Sequence, residues 1–377
     1  MYKTMTPGPT NVRENVRMAR SLETTNPDID PSFCEFYKET CDLLGQLMHT
    51  KNNVYILGGE GILGLEAACA SLTEPGDRVL VLDNGIFGRG FADFVTMYGG
   101  EAVSFVSDYH KPIDVAELEE FLRKDADFKY ATIVHCDTPS GVLNPIEQIC
   151  KLLASYGVLT VVDSVAGMFG EHVNVDESKI DILCGGSQKA LSAPPGLTML
   201  WVSDKAIDAM EKRQTPIASF YANILNFKNY YKEKWFPYTM PISDIYGLRA
   251  AVDNVIADKN ILERHRKIAS AARAAIIAGG LELYLEKGFS NTVTVIKVPE
   301  GFTDKQILET MKKTYNVMIS GCFDILAGKV IRIGHMGENA NTEDMKLVLE
   351  SLTKTLKDIN FPVKCNMAEV FINQLNK

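Results

Sequence analysis

The sequence has no Cys-x-x-Cys pair and no cysteine–histidine cluster at zinc-finger spacing. Its eight cysteines therefore point away from a metal site and toward a reducing cytoplasm. No stretch approaches about 20 uninterrupted apolar residues, and the opening MYKTMTPGPTNVREN lacks the apolar run of a signal peptide. Neither membrane spanning nor secretion is expected. Positive charge is also scarce: 39 Lys and Arg stand against 48 Asp and Glu, a formal net charge of −9. Such a chain lacks the basic footprint of a nucleic-acid binder, although local Lys or Arg and helix N-termini still suit a small anion. There is no internal repeat, low-complexity tract or Gly/Ser-rich linker. What is left, with 46% hydrophobic and 23% charged residues, is ordinary globular composition. At 377 residues the chain is longer than one core usually grows, so more than one domain is expected.

Between about residues 50 and 205, short β-branched runs alternate with apolar residues at helical spacing, the pattern of a mostly parallel sheet flanked by helices. Strands are expected at 78–82, 102–106, 130–135, 159–163, 180–184 and 198–202, with crossover helices at 62–72, 115–122 and 145–156. A long segment poor in Gly and Pro, 243–278, reads as one helix stopped by Gly279-Gly280. Beyond it, 292–298, 304–315, 330–333 and 342–359 read strand, helix, strand, helix. The expected division is an N-terminal segment 1–20, a large domain 21–250 and a small α/β domain 251–377.

Three local features carry chemistry. Gly58-Gly59-Glu60-Gly61-Ile62 runs straight into a helix, which turns backbone N–H groups toward an anion at the positive end of the helix dipole. The dinucleotide fingerprint fits it poorly, because no acidic residue is expected at a strand end about 20 residues on. Asp163 ends a very apolar strand, on the edge that lines the ligand crevice of open α/β sheets, though such an Asp equally serves as a helix cap. Lys189 lies in Gly186-Ser187-Gln188-Lys189, a small-residue loop after another strand; most lysines are merely solvated, but a buried one is a nucleophile. Taken with Phe87 in DNGIFG, the order is anion cradle, aromatic face, carboxylate and amine, each after a strand. Those are the four parts needed to hold pyridoxal phosphate (PLP).

With these motifs in hand, the chain resembles the class V, fold type I aminotransferases, and within them the alanine–glyoxylate and serine–pyruvate group. The resemblance runs through TPGPTNV (6–12), DNGIFG (83–88), HCDTPSGVLNP (135–145), VVDSVAG (161–167), GSQKALSAPPG (186–196) and IRIGHMG (331–337). It implies an α/β fold with a mostly parallel sheet, helices on both faces and a smaller C-terminal α/β domain. It also implies ping-pong amino transfer, on pyridoxal 5′-phosphate, between a small amino acid (alanine or serine type) and a small 2-oxo acid (glyoxylate or pyruvate type). Lys189 resembles the lysine that holds the cofactor aldehyde, Asp163 the partner of the pyridine nitrogen, Gln188 its cofactor-binding neighbour and Phe87 the stacking ring. Glu60, Gly61 and Ile62 match the phosphate cradle, Thr138 the segment near the ring hydroxyl, and Arg332 the clamp on the substrate carboxylate. Gly8 in TPGPTNV falls on the substrate side. Thr239 in PYTMP resembles a phosphate ligand given by a neighbouring subunit, which implies a homodimer with shared sites.

Two positions depart from the family pattern. Glu60 puts a carboxylate where a small or hydroxylic residue commonly faces the phosphate, and it would repel a dianion unless protonated or turned away. Pro139 interrupts a run that is usually Ser and Thr. A PLP-dependent cysteine desulfurase or lyase using Cys322, ten residues before Arg332, is the alternative. Related aminotransferases acting on aminoethylphosphonate or ureidoglycine are another.

Overall fold

In the computed structural model, which describes residues 2–377, the alternating pattern forms a seven-stranded sheet. Its strands are β1 (Asn53–Gly58), β2 (Arg78–Asp83), β3 (Glu101–Val106), β4 (Tyr130–Val134), β5 (Leu159–Asp163), β6 (Ile182–Gly186) and β7 (Leu197–Val202). In space they lie in the order β1-β7-β6-β5-β4-β2-β3. β2 to β6 pair in parallel, while β7 is antiparallel to both β1 and β6. Every residue of β4 and β7 is buried, which explains why these strands read as continuous apolar runs rather than alternating ones.

The crossover helices form where apolar spacing and capping agree. The helix Val115–Lys124 buries Leu118 and Leu122, and the Asp114 carboxylate accepts the Ala116 N–H at 2.9 Å at its start. The helix Ile146–Ser155 buries Ile146, Ile149, Cys150 and Leu153 on one stripe.

Several sequence-based boundaries move. β6 begins two residues after the expected Ile180 and ends at Gly186, not Cys184. The expected single helix 243–278 is two helices, Ile242–Ala257 and Ile261–Ala278. They part at Asp258, whose carboxylate is held by Arg264 at 2.7 Å across the break. β2 runs one residue further than expected and ends in an acid, Asp83, so a strand-end carboxylate does follow the glycine turn; it accepts the Tyr109 hydroxyl. β1 and the 17-residue helix Pro31–Leu47 were not expected.

A second apolar cluster gathers Ile296, Ile331, Ile333, Val348, Leu352 and Phe371. Strand β8 (Val293–Lys297) pairs antiparallel with β9 (Val330–Gly334), and the terminal helix Met367–Leu375 buries Met367, Ala368 and Phe371. Met5 belongs to this cluster too, because Lys3–Thr4 pairs in parallel with Val317–Met318. That pairing fixes the path of the TPGP segment that follows.

The chain passes from β2 outward to β3, then returns to β4 on the other side of β2. The loops after β2 and β4 therefore diverge and leave a crevice at the carboxyl edge of the sheet. No helix among the described residues is long and apolar enough to cross a membrane.

Candidate active site

The loop after β6 carries Lys189 off the carboxyl edge of the sheet. The Ser187 hydroxyl donates to the Pro194 carbonyl at 2.6 Å and the Thr10 hydroxyl donates to the Lys189 carbonyl at 3.0 Å, so the loop is tied at both ends. The Lys189 ammonium donates to the Pro7 carbonyl at 2.5 Å. Burial lowers its pKa, with Glu60 opposing that shift and Arg332 adding to it. Gly8 lies directly against the side chain: a Cβ there would sit 2.6 Å from Lys189 Cδ, and its φ is +87°.

Asp163 ends β5 and is 7% exposed. One of its carboxylate oxygens accepts the Val165 N–H at 2.9 Å. Burial pushes its pKa up to about 7; the Val165 N–H and Lys189 pull it down, and Asp137 and Glu60 push it further up. A cation placed against this carboxylate would keep it ionised. A protonated pyridine nitrogen is such a cation.

Phe87 opens the helix Ile86–Met97, and its N–H donates to Asp137 at 3.0 Å. Asp137 is wholly buried and also accepts the Ser140 hydroxyl at 2.7 Å and the Ser140 N–H at 3.1 Å. It thereby holds the loops after β2 and β4 together. Sequence reasoning did not single it out, although Asp followed by Ser three residues on is a turn signature that could have marked it. Arg332, in β9, is 8% exposed. Its Nε donates to the Gly321 carbonyl at 2.8 Å, and one terminal nitrogen donates to the Thr138 carbonyl at 3.4 Å. No carboxylate forms an ion pair with it among the described residues, so this guanidinium lacks a close counter-ion.

At the remaining end, Glu60 caps the helix Gly61–Leu72. Its side chain folds back so that one oxygen accepts the Ile62 N–H at 3.0 Å and the other accepts the Gln188 amide NH2. Gln188 is 5% exposed, and its own amide oxygen is buried without a partner. The carboxylate has thus turned onto its own helix rather than away from the site.

One cavity, of about 400 Å³ counting its open mouth, is lined by Lys189, Asp163, Phe87, Thr138, Glu60, Gly61 and Ile62 among others. Gln188 reaches it through Glu60, Arg332 through Thr138, and Gly8 through Lys189. Thr239 does not line it; its hydroxyl donates to Asp28 at 2.8 Å on an exposed face. Cys322 lies outside the lining, and burial raises its thiol pKa, which weighs against a thiolate nucleophile.

A buried amine, a strand-end carboxylate and an aromatic wall around one cavity suit the ring of PLP. At Gly61 a Cβ would come within 2.9 Å of Val165, so the turn reaches the cavity with no side chain to spare. The phosphate end has a helix N-terminus, as an anion needs, but with Glu60 drawn over it.

The family model for class V aminotransferases matches residues 28–348. A pyridoxamine–pyruvate transaminase of Mesorhizobium japonicum is 34% identical over 343 residues, covering 89% of this chain and 87% of that protein. An alanine–glyoxylate aminotransferase of Callithrix jacchus is 30% identical over 367 residues, covering 93% and 86%. Among solved structures, the ureidoglycine–glyoxylate aminotransferase of Bacillus subtilis superposes with a TM-score of 0.96 at 29% identity, covering 100% of this chain and 98% of that one.

Proposed function

The chain belongs to the class V aminotransferases, a family of PLP-dependent enzymes, and from that premise we propose that it moves an amino group between a small amino acid of alanine or serine type and a small 2-oxo acid of glyoxylate or pyruvate type. The observation that carries this reading is the pairing of a buried amine with a buried guanidinium that lacks a carboxylate partner, Lys189 and Arg332, linked through Thr138, which lines the cavity with Lys189 and accepts from Arg332. One captures a carbonyl; the other takes a carboxylate. Relatives named for alanine, glyoxylate and pyruvate support the substrate class.

Bound PLP supplies the electron sink that makes the hydrogen on the donor's α-carbon acidic. Lys189 Nζ, its pKa lowered by burial, would take that proton from the donor's α-carbon as general base and deliver it to C4′ of the cofactor as general acid. Asp163 would stay ionised against the ring nitrogen and so keep a proton there. Phe87 would cover one face of the ring, and Arg332 would hold the α-carboxylate of donor and acceptor in turn with parallel hydrogen bonds. The burial of the Asp163 carboxylate and of the Lys189 amine would keep bulk water from competing for the proton.

We read the active form as a homodimer in the cytoplasm. Phe220, Tyr221 and Trp235 are each 52% exposed or more, and the Tyr221 ring packs against Phe220 and stacks on Tyr238, next to Thr239 in the chain, giving an apolar face for a second copy. All eight cysteines are free, which suits a reducing compartment.

A screen of alanine, serine and aspartate against glyoxylate and pyruvate, with product amino acid quantified, tests the reading. Turnover of alanine or serine with glyoxylate, or of serine with pyruvate, abolished in Lys189→Ala, is expected. Equal inactivity of wild type on every pair would overturn the substrate class.

A further inference from the structure

At the Gly61 end of the cavity, where the phosphate of PLP would lie, two donors are already taken. The Ile62 N–H and the Gln188 NH2 both donate to the carboxylate of Glu60. Because the Gln188 NH2 faces Glu60, its amide oxygen must point the other way, where it is buried without a donor. No Lys or Arg pairs with Glu60 among the described residues. The positive end of the helix Gly61–Leu72 is thus occupied by a carboxylate from its own cap. What the Glu60 side chain offers a ligand here is an acceptor.

A phosphate monoester brings about −1.5 to −2 charges and needs donors, and two like charges in contact repel even at the edge of a protein. A hydroxymethyl group is neutral and brings one O–H donor. We propose that this end of the site recognises the uncharged 5′-hydroxymethyl arm of an unphosphorylated B6 vitamer through Glu60. The chain then accepts free pyridoxamine as an amino donor that enters and leaves like any substrate, beside its PLP chemistry.

The reaction balances without an added oxidant. The amino group passes from C4′ of pyridoxamine to C2 of the 2-oxo acid, and the carbonyl oxygen is replaced at C4′ by way of water. The electron pair lost in oxidising C4′ to the aldehyde is the pair gained at C2. The proton leaving C4′ is carried to C2 by Lys189. The inference rests on Lys189 being the carbonyl-capturing amine of the proposed function. Glu60 determines which vitamer is held and does not touch the reacting carbons.

The test uses the full-length protein freed of bound vitamer. Pyridoxal and PLP are titrated separately, binding is followed by near-ultraviolet absorbance, and each adduct is fixed with borohydride and weighed by mass spectrometry. Pyridoxamine and pyruvate alone are then supplied, and pyridoxal is measured. Wild type should bind pyridoxal no more than tenfold weaker than PLP and form pyridoxal from pyridoxamine. Glu60→Ser, which keeps a good helix cap, and Glu60→Gln, which keeps the shape without the charge, should each shift the binding ratio toward PLP by about tenfold or more. Pyridoxal binding more than tenfold weaker than PLP in wild type, or an unchanged ratio in both variants, overturns the inference. If PLP is captured at Lys189 and supports amino transfer while pyridoxal does neither, the inference fails and the proposed function stands. Capture of neither vitamer at Lys189 would overturn both.

Discussion

Gly8 is packed against the side chain of Lys189 so closely that an added Cβ would lie 2.6 Å from Cδ and 2.9 Å from Nζ. The neighbouring Pro7 carbonyl accepts the lysine's ammonium. The N-terminal segment thus packs directly on the lysine that lines the cavity, pinned there because Lys3–Thr4 and Met5 are anchored to the second apolar cluster. Gly8→Ala meets two obstacles, a left-handed φ of +87° and the contact with Lys189. The first costs about 1–2 kcal/mol, and the second displaces the amine. Denaturant unfolding should show a loss of that size, and the rate of the first half-reaction should fall by more than tenfold. Unchanged kinetics would mean that the segment moves aside during turnover.

Asp163 gives a pH prediction with a definite sign. Its pKa in the folded protein without cofactor is raised from 3.8 to about 7. A raised pKa stabilises the fold below the unfolded value and loses that contribution as pH climbs toward the folded one. At about 1.4 kcal/mol per tenfold in proton affinity, the loss between pH 4 and pH 7 is on the order of 4 kcal/mol. The cofactor-free protein should therefore lose stability over that range relative to Asp163→Asn. Bound cofactor should flatten the difference, because a cationic ring nitrogen pays back the ionised form. Parallel pH profiles for the two cofactor-free proteins would remove the buried carboxylate as the cause.

Much of this site is legible from the chain because its parts follow strands. Asp163 at the end of β5, Lys189 after β6 and Phe87 after β2 each announce themselves by a short apolar run followed by small or polar residues. Contacts between distant segments are not legible in this way. Gly8 and Lys189 meet only because a two-residue strand near the N-terminus pairs with Val317–Met318. Asp137 reads as a turn residue, and its hold on Phe87, 50 positions away, depends on β2 and β4 being neighbours in the sheet. Glu60 is visible as a misplaced charge, whereas its partner Gln188 lies 128 residues on. The break at Asp258 was missed because neither Gly nor Pro marks it; the residues on both sides keep helical spacing.

Arg332 lacks a carboxylate partner, and its fixed contacts are to the carbonyls of Gly321 and Thr138. Arg332→Lys keeps the charge but not the planar fork, so one charge-assisted hydrogen bond to the substrate carboxylate is lost, about 1.5–3 kcal/mol. KM for the amino acid and for the 2-oxo acid should rise together by roughly 10- to 100-fold. A rise for one substrate alone would assign the other carboxylate to a different group.

Thr239 stands outside the cavity of its own chain, bonded to Asp28 on an exposed face. We propose that a second copy covers that face and that the hydroxyl serves the partner's site at its Gly61 end, so that each site would draw on both chains. Thr239→Val should then weaken cofactor binding, and the binding should fall further on dilution below the dimer constant. Complementation decides whether the contribution is made in trans. In a dimer of one Lys189→Ala and one Thr239→Val chain, one site carries both lesions and the other carries neither. Provided each homodimer is impaired and mass spectrometry confirms exchange, mixing should restore activity toward half of wild type per mixed dimer. Confirmed mixed dimers with no recovered activity would place Thr239 outside the partner's site.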